Sequence, residues 1–144
     1  MKDIRKTTPD KMISIVRLML GIVFIMTGIM KLTLADYSTA WAIQLTEANI
    51  PFFKFNYWFV PVFEVLLGLI LLIGYYSRIA ALTVLPVMFV ATYVHLTVDN
   101  PAAFPSQPQE PYAPIVIIIL SIFILIKGAG EWSMDISKSV NRRH

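Results

Sequence analysis

Cysteine is absent from the 144 residues, and histidine occurs twice, as His95 and as the terminal His144. The first absence excludes disulfides, thiolate metal sites, iron–sulfur ligation and a cysteine nucleophile within this chain. The second restricts a haem held by two histidines, which would need both rings buried. Charge is scarce as well: 15% of residues are charged and 57% are hydrophobic, whereas soluble globular domains carry about 25% charged residues. Also missing are a phosphate-binding glycine loop, a nucleophile elbow and a pair of metal ligands at helical spacing, so no metal site is expected. The glycines of KGAGEW follow a hydrophobic helix rather than a strand, which fails the structural requirement of a nucleotide site. The net charge of +3 does not make nucleic acid an expected partner, because basic residues at the ends of so apolar a chain reflect the positive-inside bias.

What the sequence has instead is hydrophobic runs long enough to cross a bilayer. They lie at about 12–34, 57–74, 77–98 and 112–127, and about 20 apolar residues suffice for one crossing. The first run is longer than the ~7–15 residues of a secretory signal core, and Lys31-Leu32-Thr33-Leu34-Ala35 offers no small-residue cleavage pattern, so it reads as a span. The fold class is all-α: an integral membrane four-helix bundle, one domain over 1–144, with the lipid bilayer as its first partner.

Between the first two spans, Tyr37, Ala40, Trp41, Leu45 and Ala48 recur at helical spacing opposite Thr39, Thr46 and Glu47. They predict a short amphipathic helix on the extracytoplasmic membrane face, ended by Asn49-Ile50-Pro51. Tyr57, Trp58 and Phe59 then read as an interface belt, with Pro61 in the first turns of the second span, where proline is tolerated. Pro86 falls mid-helix in the third span and predicts a kink. The proline-rich NPAAFPSQPQEPYAP predicts an extended, rigid connection rather than a helix.

Orientation follows from lysine and arginine. One side would hold Lys2, Arg5, Lys6, Lys11, Arg78, Lys127, Lys138, Arg142 and Arg143, the other only Lys31 and Lys54. Both termini are therefore expected in the cytoplasm.

The candidate site rests on the few ionisable groups inside the spans, since a charge in hydrocarbon costs several kcal/mol and marks function by default. Helical side chains lean toward their own N-terminus. Lys31 and His95 thus lean from the outer edge toward the membrane centre, and Glu64 leans outward to meet them. Lys31 and Glu64 differ in height by roughly 10 Å at 1.5 Å per residue, within reach of an ion pair, with His95 as a third member. A structural pair that only fixes helix register is the plain alternative, as is Lys31 snorkelling to the surface. Arg17 is left near the inner half, to snorkel to head groups, to pair with Glu131 or Asp135, or to serve as the inner mouth of a ligand site. Arg17, Gly21, Phe24, Gly28 and Lys31 share one stripe of the first span, and Gly21, Gly28 and Gly68 are expected to let helices approach closely.

Laid out in order, these residues resemble the DoxX family of small bacterial membrane proteins. Arg17 in VRLMLG is followed by F-x-x-x-G-x-x-K-L from Phe24 to Leu32. E-x-x-x-G-x-x-L-x-x-G-x-x-x-R-x-A-A runs from Glu64 to Ala81, and GAGEWSMD is similar to a closing G-x-G-x-x-S-x-D. Met134 stands where the family often has leucine, and Glu131 where a basic residue is frequent. The resemblance implies a four-helix protein of the bacterial inner membrane whose inner-face motif comprises Arg78, Gly128, Gly130, Ser133 and Asp135. It also implies a role as an accessory subunit in quinone-linked electron transfer or oxidative-stress defence, not catalytic alone. Quinone would then be the candidate cofactor, and a redox protein or a second copy the partner. A non-enzymatic scaffold or assembly factor, and a small lipid- or solute-binding transporter, are the alternatives.

Overall fold

The computed structural model describes residues 7–135, and every regular element among them is helical. Helix α1 (Lys11–Thr33) starts at Asp10, whose carboxylate accepts from the Met12 amide at 2.8 Å. Leu34 alone separates it from α2 (Ala35–Glu47). Then follow α3 (Phe53–Ile73), α4 (Ser77–Thr97), a 3-10 turn at Pro101–Ala103, and α5 (Tyr112–Lys127). Helices α1, α3 and α4 are long and apolar enough to cross a membrane. At 16 residues, α5 reaches about 24 Å and is the short fourth member.

Two close pairs build the bundle: α1 packs along α3, and α4 along α5. The first pair is glycine-limited. A Cβ on Gly68 would lie 2.7 Å from the Gly21 carbonyl oxygen, and one on Gly28 only 2.6 Å from that of Pro61. These contacts fix an antiparallel register in which Gly21 faces Gly68 and Gly28 faces Pro61, as the small-residue stripe predicts. Between the pairs lies a core of Leu20, Phe24, Leu67, Leu71, Ala81, Val84, Met88 and Ile124. Met19, Met26, Leu66, Phe89 and Ile119 point outward and are exposed, an arrangement that suits a lipid solvent and not water.

At the end of the bundle bearing Lys31, α2 folds across the helix tips. Ala40, Trp41, Leu45 and Ala48 are buried while Thr39, Thr46 and Glu47 are exposed, so the predicted amphipathic helix is present. Its apolar stripe is turned onto the bundle, and Ala48 joins Val94, Val98, Ala103 and Phe104 in a second, smaller core.

Two boundaries depart from expectation. Helix α3 begins at Phe53 rather than near residue 57, because nothing after Pro51 breaks FKFN and the Asn56 side chain donates back through Nδ2 to the Pro51 carbonyl at 2.7 Å. Pro61 therefore lies inside the helix and not in its first turns. Having no N–H, it leaves the Tyr57 carbonyl without its helical donor, and the Trp41 indole donates to that oxygen at 3.2 Å. The proline-rich connection is not wholly extended either. Asn100 accepts from the Ala102 amide at 3.0 Å and starts the 3-10 turn, with Pro101 in its first position.

Candidate functional site

Lys31, in the last turn of α1, meets Glu64 of α3 with both carboxylate oxygens, at 2.7 and 3.0 Å. The glycine register explains how. Residues facing each other across α1 and α3 sum to 89, so Lys31 lies level with Trp58, six residues or about 9 Å above Glu64. Each side chain leans toward its own helix N-terminus, in opposite directions, and closes that gap. The Glu64 side chain is 6% exposed and that of Lys31 20%. Lys31 Nζ also lies 4.5 Å from the centre of the Trp41 ring, a cation–π contact beside the ion pair. Trp41 is in turn fixed by the Tyr57 carbonyl, so a missing proline N–H in α3 ultimately places the ring over Lys31.

His95 does not join the pair as its third member. Its Nδ1 lies 2.9 Å from the Gln109 carbonyl oxygen, and its ring stacks on Phe104 at 4.3 Å. The connection after α4 folds back over the helix tip and captures the imidazole before Glu64 can. His95, Lys31 and Glu64 nevertheless line one cavity of about 500 Å³ between the two helix pairs. Its roof is α2, through Trp41 and Gln44, and its inner wall is apolar, with Phe24, Val87, Met88, Ala91 and Ile117. The volume falls in the range of small-molecule sites, and an apolar wall with a few convergent polar groups is their usual make-up. No group of three or more metal-ligating side chains occurs among the described residues.

Arg17 belongs elsewhere. It is fully buried and does not snorkel. Its Nε donates to the Ala129 carbonyl at 2.9 Å, Nη1 to those of Leu72 at 2.8 Å and of Leu71, and Nη2 to that of Trp132. Asp135 lies near enough to add a favourable Coulomb interaction. The guanidinium ties the end of α3 to the segment after α5, some 20 Å along α1 from Lys31, and it does not line the cavity.

The residues of the proposed inner-face motif complete this clasp. Asp135 accepts from the Tyr76 and Ser77 amides, both at 3.0 Å, and so caps α4 from the far end of the chain. Tyr76 is left-handed there and offers no side-chain cap of its own. Gly130, at φ +81°, admits nothing larger, since a Cβ would lie 2.6 Å from the Ser14 amide. Gly128 is also at positive φ, Ser133 donates to the Gly130 carbonyl at 2.8 Å, and Arg78 donates to that of Ile126 at 2.9 Å.

Sequence reasoning did not assign Trp41, Gln44 or Asn56 to the site. Spacing placed Trp41 on the apolar stripe, but Pro61 was expected in the first turns of its span, where it strands no carbonyl, so nothing in the sequence connected the two.

No curated protein and no solved structure matches the chain. The family model for DoxX matches residues 12–97, from the first turn of α1 through α4, and leaves α5 and the segment after it outside the match. The matched segment carries Arg17, Lys31, Glu64 and His95 and exceeds half of the sequence: this chain belongs to the DoxX family.

Proposed function

We propose that the protein is an accessory membrane subunit in quinone-linked electron transfer or redox-stress defence, with the cavity holding the quinone. The observation that carries this reading is the two-pronged Lys31–Glu64 pair, set in the wall of a largely apolar cavity of about 500 Å³. A quinone is a flat polar ring on a hydrocarbon tail, and such a cavity suits both parts. The pair supplies ionised hydrogen-bonding groups beside the ring in a low-dielectric setting, where they act most strongly. Lys31, Glu64, Trp41 and His95 orient the head group, while Phe24, Met88 and Ile117 contact the apolar part. Redox chemistry beyond binding is assigned to a partner chain. The Arg17 end faces the cytoplasm of the bacterial inner membrane, because Lys11, Arg78 and Lys127 gather there and Lys31 and Lys54 lie at the other.

The test is purification in mild detergent, with a visible spectrum and mass spectrometry of extracted small molecules. A stoichiometric quinone, lost in Glu64→Gln while helical content is kept, is the expected result. A colourless protein carrying only bulk phospholipid would transfer the assignment to a scaffold.

A further inference from the structure

The cavity has one side that the protein does not close. Val23 and Thr27 on α1, and Pro86 and Val90 on α4, line it and are exposed at the same time. Val23 is 40% exposed and Val90 50%, and both stand near the midpoints of their helices. Helices α1 and α4 are not a packed pair; each is held by α3 and α5 instead. In a bundle that crosses a bilayer, helix midpoints lie at hydrocarbon depth. The slot between them therefore opens on acyl chains, while α2 and the connection after α4 cover the end of the cavity.

The polar groups around the cavity share a bias. Lys31 donates to both oxygens of Glu64 and turns toward the Trp41 ring. Trp41 donates to the Tyr57 carbonyl, Gln44 to that of Ala103, Asn56 to that of Pro51, and Thr27 to those of Val23 and Phe24. His95 Nδ1 faces the Gln109 carbonyl, which can only accept, so Nδ1 donates there. The donors of Lys31, Trp41 and Thr27, and one N–H each of Gln44 and Asn56, are thus engaged within the protein, and the charged acceptor left to a ligand is Glu64, through its further lone pairs. The ion pair is neutral as a whole. An anionic head would have to displace Glu64 from Lys31, and a cationic head the reverse, leaving a buried charge unpaired.

We infer that the cavity takes an uncharged, hydroxyl-bearing amphiphile directly from the bilayer, its head donating to Glu64 and its tail leaving through the slot between Val23 and Val90. This deepens the reading above and rests on the same cavity. Within a quinone couple, the dihydroxy form can donate to Glu64 and the dicarbonyl form cannot.

The test uses the purified chain in a neutral detergent, with native mass spectrometry counting adducts of four probes sharing one tail: dodecanol, dodecyl methyl ether, tridecanoate and dodecylammonium. The expected result is a one-to-one dodecanol adduct at least about tenfold more abundant than the other three, the scale of one hydrogen bond to a charged acceptor. Because the chain has no cysteine, Val23→Cys with Val90→Cys provides two unique thiols for a bis-maleimide bridge across the slot. Bridging before exposure should abolish the adduct, and bridging afterwards should trap it. Equal binding of the ether, stronger binding of either ion, no adduct at all, or uptake unaffected by the bridge would each overturn the inference. Dodecanol binding with no quinone in the extract leaves this inference standing and removes the redox assignment. A bound quinone with four indistinguishable probes does the reverse.

Discussion

The contact between Gly28 and Pro61 sets the spacing on which the Lys31–Glu64 pair depends, and replacing Gly28 by alanine tests it. Two effects oppose each other. Alanine in place of a helical glycine gains about 1 kcal/mol of propensity. Against that, the new Cβ would lie 2.6 Å from the Pro61 carbonyl oxygen and 2.8 Å from a Val65 methyl. A relaxed carbon–oxygen contact is about 3.3 Å, so the helices must part by roughly 0.7 Å along a line of backbone contact. Overpacking of this kind costs about 1–3 kcal/mol, and the net expectation is a loss of about 1 kcal/mol. Gly21→Ala is the internal control. Its Cβ would lie 2.9 Å from the Gly68 carbonyl, and its other close neighbours are the tip of Leu72, which can rotate away. Its net effect should be near zero. Comparing two glycines in one helix also cancels the shared effect on the unfolded chain. Unfolding in mixed micelles with increasing dodecyl sulfate, followed by far-ultraviolet circular dichroism, measures both variants. If Gly28→Ala proves as stabilising as propensity alone allows, α1 and α3 do not touch there, and the argument for the site geometry fails with it.

Three further outcomes follow from contacts described above. Trp41→Phe strands the Tyr57 carbonyl and should cost about 1–2 kcal/mol; adding Pro61→Ala restores a helical N–H, so a double-mutant cycle in the same assay should show the two losses to be strongly non-additive. Arg17→Lys retains the charge but not the fork that reaches four carbonyls, and should lose more than about 2 kcal/mol, visible as a lower melting temperature in detergent; a melt unchanged from wild type would contradict the clasp. Asp135→Ala removes the distant cap of α4 and should cost about 0.5–2 kcal/mol, with faster hydrogen exchange at the Tyr76 and Ser77 amides and little change in the middle of α4.

Much of this arrangement was legible from the sequence, and the parts that were not share a cause. Hydrophobic runs gave the helices, and the lean of side chains brought Lys31 and Glu64 together correctly, because both depend on local geometry. The glycine seam of Gly21, Gly28 and Gly68 was readable for the same reason. His95 lines the same cavity, but its partner was not foreseen because it is a loop carbonyl at Gln109, whose position depends on how the connection after α4 folds back. For Arg17 the sequence left snorkelling, pairing with Glu131 or Asp135, and a ligand site's inner mouth open, and it missed the burying carbonyls because Ala129 and Trp132 contribute them from more than a hundred residues away. Backbone acceptors carry no sequence signature. The early start of α3 belongs with these: only the absence of a breaker between Pro51 and Tyr57 marks it, and aromatic residues there suit a membrane belt equally well.

The clasp around Arg17 also bears on how the chain is made. Of its four carbonyl partners, those of Leu71 and Leu72 exist once α3 is in place, but those of Ala129 and Trp132 come 112 and 115 residues after Arg17 itself. At a synthesis rate of about 5–20 residues per second, the guanidinium waits on the order of ten seconds for them. During that interval a charged group with half its acceptors sits near the edge of the bilayer, and only the short turn at 74–76 joins the two helix pairs at that end. The segment after α5 supplies the second tie. A nascent chain cut short before Ala129 therefore keeps its hydrophobic spans but carries an unsatisfied arginine, a chemical mark that separates unfinished copies from finished ones.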